Sequence, residues 1–225
     1  MGQAIGELLP AAVGVAISPV PIIAVVLMLV TARGRVNGPA FVIGWLVGVA
    51  AVGAIVLLLA GGIDMTDESG PATWVGWLEL VLGVLLLLVA VREWRGRPRE
   101  GDEAAMPTWM DALDRFTPVK AGGAGIVLSA VNPKNLLLIV AGAAAIAQTG
   151  ISAGEQAVAL LVFVVIASVG VAAPVVIAIA MGERSRGLLD RLKTWLGRNN
   201  AVIMAVLMLV IGVKLIGDAI SILSS

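Results

Sequence analysis

Residues Leu8 to Thr31 read LLPAAVGVAISPVPIIAVVLMLVT and hold no charged side chain. A bilayer core of about 30 Å is crossed by about 20 apolar residues in a helix. This stretch is therefore long enough to span a membrane. Ser18-Pro19-Val20-Pro21 interrupts it near its middle. A proline inside a helix removes a backbone donor and clashes with the carbonyl four residues back. Pro19 and Pro21 are thus expected to free the carbonyls of Val15 and Ile17. Unwound backbone at membrane depth is tolerated only against protein or a watery cavity. The reading is a span broken halfway, and it directs the search outward along the chain.

Five more apolar runs follow. They cover Pro39–Ala60, Trp74–Arg92, Ala121–Ala147, Glu155–Met181 and Asn200–Leu223. Pro39 suits a first helical position. The fourth run contains Asn132-Pro133-Lys134-Asn135, where Pro133 frees the carbonyl of Ser129, and Pro174 lies inside the fifth. Composition agrees: the 225 residues are 60% hydrophobic and 13% charged, with a mean hydropathy of +1.04. The expected fold is an all-α integral membrane protein of six transmembrane helices, multi-pass in the plasma membrane. No basic segment precedes Leu8, so the first run is expected to remain as a helix and not to be cleaved as a signal.

Basic residues give the orientation. Arg33 and Arg35 follow span one. Arg92, Arg95, Arg97, Arg99, Arg115 and Lys120 follow span three, and Arg184, Arg186, Arg191, Lys193 and Arg198 follow span five. These are 13 of the 15 basic residues; the other two, Lys134 and Lys214, lie within spans. Both termini are accordingly placed outside the cytoplasm. Trp74 and Trp77 at the outer end of span three, with Trp94 and Trp195 on the inner side, form the expected aromatic belt. In the long cytoplasmic loop, Glu93–Met106 is charged and read as mobile. Pro107–Thr117 reads as an interfacial amphipathic helix, with Trp109, Leu113 and Phe116 on one face. Leu188, Leu192, Trp195 and Leu196 share a face in the fifth loop.

Three spans precede the long loop and three follow it. Spans one and four both read Gly-x-x-x-Ser before a proline: Gly14 and Ser18, then Gly125 and Ser129. Spans three and six align at Gly83 and Gly212. An odd number of crossings inverts the second copy, and inverted repeats with interrupted helices mark secondary transporters. The single transmembrane domain, 1–225, divides into repeat one at 1–93, a cytoplasmic loop at 94–120 and repeat two at 121–225.

Lys134 is the sharpest candidate for chemistry. Counted along span four it is deep, and a buried cation costs several kcal/mol unless paired or hydrated. Asn132 and Asn135 flank it, and Ser18 and Ser129 are expected to join across the repeat axis. With the breaks at Pro19, Pro21 and Pro133 they compose a substrate-binding cradle for an anionic group such as phosphate, sulfate or carboxylate. The competing reading is a structural ion pair with Glu79. Glu79 is alternatively a coupling proton carrier, or snorkels outward. Lys214 and Asp218 are spaced as an i,i+4 pair, and Glu7 and Glu155 fall at outer helix ends. Gly44 and Gly48 favour close approach to another span or a second copy. With no Cys and no His, thiol relays, haem attachment through Cys and the usual zinc sets are excluded. No cofactor, metal site or catalytic residue is expected, and the protein is not expected to be an enzyme. Zero net charge offers nothing for a nucleic-acid partner.

At Ser18-Pro19-Val20-Pro21, at Phe41-Val42-Ile43-Gly44-Trp45-Leu46-Val47-Gly48 and at Asn132-Pro133-Lys134-Asn135 the chain resembles the GAP family. This is the sulfolipid- or peptidoglycolipid-addressing group of actinobacterial envelope proteins, within the LysE transporter superfamily. The resemblance covers essentially the whole chain. It implies a transporter or flippase-like exporter of an anionic lipid, glycolipid or lipid-linked precursor to the cell envelope. The superfamily's thiol-electron carriers need cysteines that this chain lacks. The alternatives are an exporter of a small polar solute such as an amino acid, or a non-transporting scaffold for envelope-lipid assembly. The partners implied are the membrane, the lipid substrate, and either a second copy or an envelope-biosynthesis protein.

Overall fold

The computed structural model describes residues 1–62, 73–97 and 116–224, all helical apart from short connections. The elements are α1 (Gly2–Ala16), α2 (Pro19–Val30), α3 (Gly34–Gly62), α4 (Thr73–Arg95), α5 (Pro118–Ile126), a π turn (Val127–Val131), α6 (Pro133–Gln148), α7 (Ala153–Met181), a 3₁₀ turn (Gly182–Ser185) and α8 (Arg186–Leu223). The amphipathic helix expected over Pro107–Thr117 lies outside the described residues except for Phe116 and Thr117, as do most of the charged loop segment and the side chain of Trp74.

Local chemistry sets the boundaries. Pro19, Pro118 and Pro133 stand in the first turns of α2, α5 and α6, where a missing N–H costs nothing. Ser152 and Glu155 form a reciprocal capping box at the start of α7. Gly182, at φ 53°, ends α7 in the left-handed region open to glycine. Pro39 departs from expectation: α3 begins at Gly34, so Pro39 lies inside the helix. Asn37, in the first turns of α3, is buried and donates to the Phe116 carbonyl at 2.9 Å, fastening the end of the long loop to α3.

The fifth loop also differs from its expectation. Nothing in Arg186–Arg198 breaks the helix, so it runs without interruption into the last apolar run as the 38-residue α8. Its buried face is Leu189 and Leu196, while Leu188 and Trp195 stay about half exposed. Of two adjacent leucines, the periodicity picked the outward one.

Large apolar side chains cover the outside of the bundle. Ile43, Val47, Ile55 and Leu58 of α3, Leu161, Val165 and Val176 of α7, and Leu209, Val213 and Ile220 of α8 are all more than half exposed. Exposed apolar area on that scale marks a surface that does not face water. By length and composition Gly34–Ala60 and Ala153–Leu223 can cross a membrane. Counting each bent pair, α1 with α2 (48°) and α5 with the π turn and α6 (63°), as one span brings the number to four. Six were expected; Ala153–Leu223 itself holds two helices, α7 and α8.

Glycines set the closest packing. A Cβ on Gly44 would enter the Gly122 carbonyl, and one on Gly170 would enter the Ala16 carbonyl. Thus α3 lies against α5, and α7 against α1. Gly83 and Gly212 meet reciprocally. A Cβ on either would stand 2.9–3.0 Å from the other's carbonyl oxygen, and α4 and α8 cross there.

Candidate functional site

The two breaks share one backbone. Ser18 has φ −61° and ψ 114°, and Asn132 has φ −63° and ψ 117°. That extended conformation is what a residue before proline prefers. Each proline therefore opens a second helix instead of kinking one continuous helix. At the first break, the Val15 carbonyl that Pro19 was expected to free accepts from Ser18 N–H at 3.2 Å. Ser18 itself is buried.

The second break has side-chain support. Asn132 N–H donates to Val127 O, five residues back, at 3.0 Å. In that π register the next donor, to Leu128 O, would be the nitrogen of Pro133, which has no hydrogen. Asn135 Nδ2 supplies it, 2.8 Å from Leu128 O. Asn132 Oδ1 accepts from Lys134 N–H at 3.1 Å and caps α6. Ser129 Oγ donates to Gly125 O at 2.9 Å and Ile126 O at 3.0 Å, and presses on Gly48. Ser129, Asn132 and Asn135 thus bind backbone. The exception is Asn135 Oδ1, buried without a hydrogen-bond partner.

Lys134 Nζ lies 2.7 Å from Glu93 Oε1, with the two side chains 25% and 16% exposed. Glu93 belongs to the last turn of α4, not to a mobile loop. The ammonium is therefore level with the end of α4 and not halfway along span four. The two halves of the span meet at 63° just before Lys134, so its depth does not follow from counting along one straight helix. The long aliphatic stem carries the charge further still. Glu79 is not the partner of Lys134. Its Oε1 accepts from Gln148 Nε2 at 2.7 Å.

The opposite end of the bundle holds a polar cavity of about 260 Å³. Lys214 Nζ reaches Glu7 Oε2 at 2.6 Å and Asp218 Oδ2 at 2.7 Å. Gln3, Glu79, Gln148, Thr149 and Ser221 complete its polar lining. The spacing of Lys214 and Asp218 had announced their pair. The third member, Glu7, sits 207 residues from Lys214 in sequence, and no local pattern reports that contact. The available signal was position: Glu7, Glu79 and Gln148 all fall at span ends on the side without basic loops. Glu155, also placed at an outer helix end, stays in its capping box.

A larger groove of about 420 Å³ lies between α4 and α8, on the C-terminal side of Gly83 along α4 and the N-terminal side of Gly212 along α8. Ala90, Val91, Trp94, Ala205, Val206 and Leu209 line it, with Arg95 at its end. Arg97, two residues on, stacks its guanidinium 4.1 Å from the Trp94 ring centre.

An apolar helical bundle clad in outward valines and leucines, with two proline-broken helix pairs and an apolar groove ending in arginine, defines a helical membrane protein. The family model described as Sap, the sulfolipid-1-addressing protein, matches residues 8–221, and the chain belongs to that family. No curated protein and no solved structure matches the chain.

Proposed function

We propose that the protein is a flippase-like exporter that moves an anionic lipid, glycolipid or lipid-linked precursor toward the cell envelope. The family's association with sulfolipid addressing supports an envelope-lipid role. The observation that carries the transport reading is the groove between α4 and α8. It is apolar along its length and basic at one end, and 420 Å³ falls in the range of ligand pockets, about 300–1,000 Å³. An acyl chain would lie along Val91, Val206 and Leu209, with its acidic headgroup at Arg95. A small polar solute has no use for such a lining.

The architecture proposed with it has six spans: α1 with α2, α3, α4, α5 with α6, α7, and α8, in the plasma membrane with both termini outside the cytoplasm. α4, at 23 residues and about 1.5 Å per residue, is long enough to cross. Matching dihedrals at Ser18 and Asn132, and the reciprocal contact of Gly83 with Gly212, support two inverted three-helix repeats. Lys134 is the second headgroup contact. A sulfate or phosphate replaces Glu93 beside its ammonium, so the ion pair is the resting state of the site. No catalytic residue is assigned, and the protein is not an enzyme in this reading.

The test is lipid transfer in proteoliposomes of purified protein. Val206→Trp fills the groove from a half-exposed position without entering the core, and Arg95→Glu reverses the charge at its end. Each is expected to slow transfer of an acidic lipid about tenfold or more. Wild-type rates in both variants would remove the groove from the pathway.

A further inference from the structure

Among the described residues, the polar cavity at the outer end of the bundle is lined by more carboxylates than cations. Glu7 on α1, Glu79 on α4 and Asp218 on α8 face a single ammonium, Lys214 on α8. The side chains that α6 adds, Gln148 and Thr149, are neutral, as are Gln3 and Ser221. Lys214 is engaged by Glu7 and Asp218 together, at 2.6 and 2.7 Å. Glu79 stands apart from that trio. It is 2% exposed, and one oxygen takes the Gln148 amide at 2.7 Å. The other, Oε2, is buried with no partner among the described residues. A buried carboxylate with a free oxygen beside other carboxylates is a favourable place for a bound positive charge.

We propose that this cavity is a monovalent-cation site, with Glu79 Oε2 as its free ligand and Glu7 and Asp218 setting its negative field. A proton and an alkali ion such as Na⁺ or K⁺ share the chemistry the site recognises. The amide of Gln148 holds Oε1 and leaves Oε2 for the ion. A divalent ion fits less well, because Glu7 and Asp218 are already bound to Lys214. The site stands without the lipid reading. Only its use as the energy source for export rests on that reading, so the assay avoids transport.

Purified protein in nanodiscs is unfolded by heat in NaCl, KCl or choline chloride at equal ionic strength and fixed pH. Protonation of carboxyl groups is followed by infrared spectroscopy over a pH titration. A rise in unfolding temperature of several degrees in Na⁺ or K⁺ over choline, absent in Glu79→Gln, identifies an alkali ion. No alkali effect, together with a protonated-carboxyl band that persists at neutral pH in the wild type and is missing in Glu79→Gln, identifies a proton. Either result supports the site. Should Glu79→Gln not fold, Glu7→Gln replaces it. That variant keeps the Lys214–Asp218 pair, and is expected to shift the midpoint of the cation or pH response by threefold or more in concentration. Responses identical in wild type and variants, or no response to either ion, overturn the proposal.

Discussion

Asn135 shows how much a single amide does here. It replaces the donor that Pro133 lacks, so Asn135→Ala leaves the half-buried Leu128 carbonyl without that partner. Such a loss costs about 1–3 kcal/mol. Asn132→Ala removes only a helix cap, about 1 kcal/mol, and Asn132→Ser restores most of it. Thermal unfolding in detergent is expected to rank Asn135→Ala below Asn132→Ala, with Asn132→Ser close to wild type; the reverse order would contradict the π-register account. Lys134 and Glu93 invite a different comparison. Lys134→Met strands the Glu93 carboxylate, and Glu93→Gln in the same chain relieves it. The double variant is expected to recover stability but not acidic-lipid transfer. Recovery of both would reduce Lys134 to a structural partner.

At the scale of elements, the helix contacts are set by hydrogen atoms in place of side chains. Gly44 meets the Gly122 backbone, whereas Gly123, on the same short helix α5, has open space around it. Gly44→Ala is expected to lower the unfolding temperature by several degrees or prevent folding. Gly123→Ala is expected to be neutral or to stabilise by up to about 1 kcal/mol, from helix propensity alone. Equal effects would mean that α3 and α5 do not approach as described. The helix breaks were legible in the sequence because the rule for a residue before proline is local. The same holds for the apolar runs; the capping box of Ser152 and Glu155 was not read, Glu155 having been placed only at an outer helix end. The start of α3 was not legible, since Asn37 there is tied to the distant Phe116 carbonyl; the fusion of the fifth loop into α8 was open to reading, because no proline interrupts Arg186–Arg198. The inward face of that fused segment, Leu189 instead of Leu188, was beyond periodicity because it depends on where neighbouring helices lie.

For the molecule as a whole, the candidate site was legible residue by residue but not as an assembly. The sequence marked Lys134, Glu79, Lys214 and Asp218 as charges inside apolar runs. It could not pair Lys134 with Glu93 or bring Glu7 to Lys214, because those contacts join helices far apart in the chain. It also held no sign of the groove, which needs α4 and α8 side by side. The proposed orientation has its own check, helped by the natural absence of cysteine. In cells, a cysteine at Gly2 or Ser224 is expected to react with an impermeant thiol reagent from outside, and one at Arg35 or Arg191 only after the membrane is opened. Labelling of Arg35→Cys in intact cells would invert the topology. The most direct test of the central claim is the rate at which purified protein moves lipid between the leaflets of a liposome, measured for two lipids with the same chains and different headgroups. The account predicts transfer of the acidic lipid at least tenfold faster than the zwitterionic one and well above protein-free liposomes. Equal rates for the two headgroups, or no transfer above the protein-free level, would contradict it.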